Sequence, residues 1–279
     1  MLRLSTSSWS LDKTLGSPRY PHGLPDTVDT PTNTPDADAL SLLELPAHLA
    51  EHGINTLELS HFHLPSREPE DLKPFRTALD QANVELFSIL IDAGDITQDD
   101  GAALERDVHW ISSWLDTASQ LGARHARVIA GRAEPAEAII ARSAHHLRVL
   151  ADYAESINLK LITENWYETA SQPETLLEIL RQCDNRVGLC VDFGNADSEG
   201  RDKYRTLEVL LPHATSIHAK PRVDAVRQVD RDDLLQCMNL AVAANFTGPI
   251  SIINTQRDNE WARLDELRDL LNTYLGQRA

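Results

Sequence analysis

The stretch Asn158-Leu159-Lys160-Leu161-Ile162-Thr163-Glu164-Asn165-Trp166 holds the unit from which the fold can be read. Asn158 follows a helical pattern and tolerates the left-handed backbone that stops a helix. The run 159–163 is too short for a helix and apolar enough for a strand buried on both faces. Polar residues, Glu164 and Asn165, appear where that strand should end. The same unit recurs along the chain, with Gly53 before 54–60, Asn83 before 84–91, Gly122 before 123–130 and Gly248 before 249–253. Runs 2–7, 186–191 and 214–217 bring the expected strands to eight. Strands that alternate with helices at the interval of one βαβ unit predict a parallel α/β sheet, and eight of them fit a closed (β/α)8 barrel. No glycine-rich dinucleotide fingerprint follows any strand, which disfavours a doubly wound open sheet.

Between the strands, Leu104, Val108, Ile111, Leu115, Ala118 and Leu121 recur every three or four residues and predict one apolar helix face. Trp110 and Trp114 belong to that helix as packing residues. Trp261, Leu264, Leu267, Leu271 and Tyr274 form a similar stripe near the end of the chain. Ser171 and Glu174 read as a capping box that starts the helix after the fifth strand. The rhythm breaks at 17–38, where Pro18, Pro21, Pro25, Pro31 and Pro35 fill a long connection after the first strand. In a barrel that connection overlies the active face, so it is either a lid or a variable surface loop. Residues 1–279 are read as one barrel domain, a length such barrels reach.

A formal charge of −17, from 43 acidic and 26 basic residues, repels nucleic acid and anionic bilayers. Cys183, Cys190 and Cys237 form no close pairs and fit buried thiols in a reducing compartment, so a cytoplasmic location is expected. The first residues lack a secretory apolar run, and no segment approaches the roughly 20 apolar residues that cross a membrane.

In a parallel barrel the carboxyl ends of the strands surround the pocket. The fifth ends Glu164-Asn165-Trp166, the sixth Asp192-Phe193-Gly194-Asn195, and the seventh His218-Ala219-Lys220. Two carboxylates and an imidazole from three successive strand ends form an O,O,N set suited to a dication. The alternative is a buried ion-pair cluster in which Lys220 neutralises Glu164 or Asp192 without a metal. His61 and His63 flank Phe62 after the second strand; His63 is read as a substrate contact and His61 as a rim residue. Asp92 and Arg127 could reach the pocket or merely pair with neighbours, and the second reading is taken for both. Trp9 and Trp166 are candidates for an apolar wall against a sugar.

These three strand-end motifs resemble the xylose isomerase-like TIM barrel superfamily over essentially the whole chain, in particular its sugar phosphate isomerase and epimerase branch. The resemblance implies that Glu164, Asp192 and His218 bind Mn²⁺, Mg²⁺ or Zn²⁺, that Glu164 moves a proton, and that Lys220 lies near the substrate; Asn165, Asn195, Trp166, Trp9 and His63 are expected beside it around a small sugar or polyol derivative. The chain departs from the family at the eighth strand. A second glutamate is expected there, but the sequence reads Ile253-Asn254. Ile253 takes the glutamate's place, and a shift of one residue would offer the Asn254 amide oxygen as a neutral ligand. One lost anionic ligand implies weak metal binding or none, and a two-base epimerisation loses one base.

Isomerisation or dehydration is therefore the expected chemistry of carbohydrate metabolism, by a protein compatible with homo-oligomer formation. The competing reading is a catalytically degenerate sugar-binding barrel. The DNA-repair branch of the same superfamily needs more histidines at strand ends and a basic surface.

Overall fold

The computed structural model describes residues 3–16, 39–197 and 201–277. Its strands β1 (Arg3–Ser7), β2 (Thr56–Ser60), β3 (Glu85–Ile91), β4 (His125–Val128), β5 (Lys160–Glu164), β6 (Gly188–Asp192), β7 (Ala214–Ala219) and β8 (Pro249–Ile252) pair in parallel and in chain order. β8 returns to β1 through the register Leu4 to Ile250 and Thr6 to Ile252, which closes the barrel. Around it run α1 (Leu45–Glu51), α2 (Pro69–Ala82), α3 (Gly101–Leu121), α4 (Glu137–Ser156), α5 (Tyr167–Ala170), α6 (Pro173–Gln182), α7 (Lys203–Leu210), α8 (Arg231–Ala243) and α9 (Glu260–Gly276). The Pro-rich connection read at 17–38 lies outside the described residues.

The expected helix stops hold at four places: Gly53, Asn83, Gly122 and Asn158 all have positive φ, between 53° and 77°. Gly248 works differently. Asn245, at φ 56°, follows α8, whereas Gly248 is required by space, because a Cβ there would come within 2.3 Å of the Thr215 carbonyl. The capping box also fails. The Ser171 hydroxyl donates to the Glu168 carbonyl at 2.9 Å, and α6 opens on Pro173 with no side-chain cap. α3, by contrast, is capped by Asp100, whose Oδ1 accepts from Ala102 N and Ala103 N. Its stripe buries Ile111, Leu115, Ala118 and Leu121 together with Trp110 and Trp114, each large apolar side chain contributing about 1.5–3 kcal/mol.

Alternation along each strand decides what the barrel interior contains. Leu161, Leu189, Val191 and Ile217 join the large core between barrel and helices, while Phe87, Ile162 and Cys190 form a separate small cluster. Two residues beyond Ile162 and Cys190, on the same face, stand Glu164 and Asp192. The strand register places Asp192 beside His218. The apolar plug thus lies beneath a polar layer at the carboxyl end of the barrel. Among the described residues no helix is long and apolar enough to cross a membrane.

Candidate active site

A cavity of about 440 Å³ opens at that end, within the range usual for small-molecule sites. Glu164, Asp192, His218, Asn195 and Lys220 all line it. The His218 Nδ1 atom lies 3.6 Å from Glu164 Oε1 and 3.6 Å from Asp192 Oδ2. On the other side of the ring, Nε2 meets Glu58 Oε2 at 2.8 Å. Glu58 sits in the middle of β2, fully buried, and faces His218 across the lumen.

Charge in this layer is balanced by burial and neighbours. Burial works against an imidazolium at His218. Its pKa is nevertheless raised well above the ordinary histidine value, because the Glu58 and Glu164 carboxylates face the ring and Asp192 lies beside it. Burial would lift the Glu58 carboxyl, but the His218 ring, and after it Ser251 and Arg127, hold it below the usual range. Asp192 is likewise held low against burial by His218 and Lys220 and by the Asn195 backbone N–H, which donates to its Oδ1 at 2.7 Å. Burial pushes the Cys190 thiol up to about 11, which keeps it protonated at neutral pH.

Arg127 is more central than the sequence suggested. Only 3% exposed, it points from β4 into the cavity, with Nη2 2.5 Å from Asp92 Oδ1 and Nε 3.1 Å from Glu164 Oε2. The guanidinium, not Lys220, is the counterion of Glu164. The Lys220 ammonium donates to Asn195 Oδ1 at 3.2 Å, and Asn195 Nδ2 donates to Glu164 Oε1 at 2.9 Å. Asn165 braces the adjoining strand ends: its Oδ1 accepts from Asp192 N at 2.7 Å and its Nδ2 donates to the Asp192 carbonyl at 3.0 Å.

Trp9, Phe62, Trp166 and Tyr167 supply the aromatic wall. Trp9 is 40% exposed and meets Phe62 edge-on, while Trp166 stacks on Tyr167 at 4.3 Å. Tyr167 has φ 57°, a left-handed conformation rare for a bulky side chain.

Two further expected contacts, His63 and Asn254, fall elsewhere. His63 does not line the cavity; its Nδ1 is 2.8 Å from Ser8 Oγ and its Nε2 3.3 Å from Asp12 Oδ1. Because Ser60 N already donates to Ser8 Oγ, that hydroxyl can give its proton to the ring, and His63 ties β1 to β2 instead of meeting substrate. His61 packs edge-on against Trp110 and Trp114, burial lowers its pKa to about 4, and its Nδ1 accepts from Asp92 N at 3.3 Å. Asn254 is turned away as well: Oδ1 accepts from Gln256 N, and Nδ2 donates to the Ser10 and Gln256 carbonyls. Ile253, not Asn254, faces the cavity.

His218 lies at a ligand-sharing distance from each carboxylate, taken pair by pair. A separation of 3.6 Å is too long for a hydrogen bond but suits ligand atoms that share an ion at about 2.1 Å each. The Nε2–H to Glu58 contact is the carboxylate support that metal-bound imidazoles usually have. Among the described residues the set whose ligand atoms all lie within 4.8 Å of one another is Glu164, Cys190 and His218; Asp192 is near His218 but falls outside it, and the thiol is the softer donor in its place. Sequence reasoning missed Glu58 and the inward placing of Cys190; the one available signal was phase, since Glu58 shares a face with Ser60 and Cys190 with Asp192, each two positions on at a strand end.

A barrel closed in chain order, with polar residues gathered at the carboxyl strand ends, is the (β/α)8 architecture. Residues 46–272 match the family described as xylose isomerase-like TIM barrel, and the chain belongs to that family. A search of the curated proteins finds no match. Among solved structures, an L-ribulose 3-epimerase superposes with a TM-score of 0.74 at 14% identity, covering 99% of this chain and 95% of the other. The probable 3-DHS dehydratase AsbF of Bacillus anthracis, involved in petrobactin synthesis, gives 0.71 at 13%, covering 97% and 98%. A xylose isomerase-like TIM barrel protein of Mycobacterium smegmatis in complex with magnesium gives 0.69 at 16%, covering 98% and 97%. At these identities the likeness is one of fold.

Proposed function

We propose that this protein is a divalent-metal-dependent isomerase or dehydratase of a small sugar or polyol derivative. The observation that carries the proposal is the position of His218 Nδ1, 3.6 Å from two carboxylate oxygens, with Nε2 held by Glu58. Glu164, Asp192 and His218 would hold the ion, Mn²⁺, Mg²⁺ or Zn²⁺, and bound there it would polarise a carbonyl and its neighbouring hydroxyl.

Proton transfer falls to Glu164. Asn195 fixes its Oε1, while Oε2 has no hydrogen-bond partner and keeps a lone pair for a substrate C–H proton. Arg127, beside Oε2, holds the carboxylate in place. Lys220 can turn its ammonium from Asn195 to an oxygen on which negative charge develops. Trp9 and Trp166 give the sugar's carbon face an apolar surface and exclude water. The β8 wall is Ile253, so no carboxylate there returns the proton from the opposite side. Return on the same face, or loss of a hydroxyl, suits the site better than inversion.

Solvent-deuterium incorporation into a panel of ketoses and aldoses, followed by NMR with Mn²⁺ present, tests this reading. Glu164→Gln should abolish exchange with the circular dichroism unchanged. Undiminished exchange would remove Glu164 from the mechanism.

One observation favours a metal-free binding protein instead: Arg127 and a charged His218 already offset the buried carboxylates. Metal content of the purified chain separates the two readings. Stoichiometric dication that disappears in His218→Ala supports the enzyme; metal-free protein that is stabilised by sugar supports the binder.

A further inference from the structure

The turns that follow β6 and β7 stay in contact beyond the last pair of their ladder, Asp192 with His218. The Phe193 N–H donates to the His218 carbonyl at 3.0 Å. Gly194 lies against the methylene stem of Lys220, where a Cβ would come within 2.7 Å of Lys220 Cδ. Asn195 Oδ1 accepts from the Lys220 ammonium at 3.2 Å, and the same amide donates from Nδ2 to Glu164 Oε1 at 2.9 Å. Two residues further along each turn, Asp197 and Arg222 close the set. The guanidinium grips both carboxylate oxygens, Nη2 on Oδ1 at 2.7 Å and Nε on Oδ2.

Turns beyond a sheet have no ladder to keep them in register, and a lysine stem is flexible along four carbons. This clasp removes that freedom. Arg222 is itself anchored: its carbonyl accepts from Asp230 N at 3.0 Å, and Nη1 lies 3.3 Å from Asp233 Oδ1. Asp233, buried on α8, has a closer cation in Lys203 at 2.6 Å, whereas Asp197 has no other ion-pair partner among the described residues. The two-pronged contact therefore serves Asp197, and a fork of this kind fixes orientation as well as distance. Arg222 and Asp197 are 43% and 31% exposed, so the pair adds little to the stability of the whole fold. Its effect falls on where the two turns sit.

We propose that Gly194, Asp197 and Arg222 are positioning residues, which lock the turn after β6 to the turn after β7 and so hold the Asn195 amide and the Lys220 ammonium at Glu164. The proposal rests on the reading of Glu164 as the proton-transfer group and goes beyond it, since none of the three lines the cavity. With its stem fixed on Gly194, Lys220 pivots only at its head, between Asn195 and a substrate oxygen. With the clasp open, Asn195 no longer fixes Glu164 Oε1, and a misplacement of about 1 Å at a reacting group costs up to about a hundredfold in rate.

Amide hydrogen exchange at Asn195, followed by NMR on the metal-free full chain, tests the clasp, because this N–H donates to Asp192 Oδ1 within the turn. Arg222→Gln and Asp197→Ala should each speed that exchange about fivefold or more, the upper end of what a partly exposed pair contributes. Arg222→Lys should be intermediate, and Arg205→Gln, which breaks an exposed pair on α7, should have no effect. The double variant should exchange no faster than the faster single one. With Mn²⁺ and a ketose that the wild type labels with deuterium, both substitutions should lower kcat about tenfold or more and change KM little. Gly194→Ala should do the same by pushing Lys220 aside with the ion pair intact. Mn²⁺ affinity should match the wild type in all of them, because Glu164, Asp192 and His218 belong to the strands. Asn195 exchange indifferent to the substitutions, turnover that survives faster exchange, or a parallel loss of Mn²⁺ affinity would overturn the proposal. If the wild type labels no sugar, the broader function falls, and the Asn195 rates alone decide whether the clasp holds the turn.

Discussion

Replacing Glu58 by Gln keeps the size of a fully buried side chain and an acceptor for the His218 Nε2–H, but removes the charge. A hydrogen bond to a charged group contributes about 1.5–3 kcal/mol, and a neutral one about 0.5–1.5. The difference, roughly 1–1.5 kcal/mol, agrees with the lower part of the 10–100-fold loss of metal affinity usual when the carboxylate behind a ligating histidine is removed.

The effect must depend on pH. Metal has to displace the Nδ1 proton, and Glu58 stabilises the imidazolium as well as the metal-bound ring. Below the raised pKa of His218 the two contributions largely cancel; above it, only the metal-bound form gains. Manganese titrations carried upward from pH 6 through the titration of His218 should therefore show wild type and Glu58→Gln nearly equal below the His218 pKa and about tenfold or more apart above it. The metal-free protein gives a second signature. A folded pKa above the free value of about 6.5 means stabilisation fully present below 6.5 and lost as pH rises through the folded pKa. Glu58→Gln should flatten that decline. A constant affinity ratio across the pH range would refute this account and leave Glu58 as a packing residue.

Restoring a carboxylate on the β8 wall with Ile253→Glu should lower the melting temperature of the metal-free protein, because a further acid joins Glu58, Asp92, Glu164 and Asp192, and Mn²⁺ should recover more stability than in the wild type. A melting point indifferent to Mn²⁺ would show that the side chain does not reach the site. Tyr167→Gly should leave the urea midpoint equal or higher by relieving left-handed strain, yet weaken sugar binding. A lower midpoint would mean that the ring contributes more through packing than it costs in strain. Lys203→Met, which leaves Asp233 with Tyr204 and Arg222 but without its 2.6 Å ammonium partner, should cost about 3 kcal/mol in urea denaturation.

The barrel was legible because its punctuation is local. Asn83, Gly122 and Asn158 each stop a helix just before a strand, and short apolar runs between such stops leave few alternatives. Glu164, Asp192 and His218 were legible for a related reason, since each ends a strand and barrel geometry sends those ends to one place. Glu58 was hidden because it sits inside a strand, where nothing local separates an inward carboxylate from an outward one until register and closure are known. Arg127 was discounted because its partners come from β3 and β5, at sequence distances that no periodicity links. His63 misled by proximity to the strand end: the turn after β2 is a tight 3-10 turn, not an extended segment, so alternation does not apply.

The pair formed by Glu58 and His218 joins residues 160 positions apart, from the second strand to the seventh. Neither half of the chain, made separately, possesses a complete ligand environment, and association of the halves would restore it. The His218 imidazole signal in NMR therefore offers a readout of ring closure during refolding, distinguishing a finished cylinder from a partly assembled one that already has its helices.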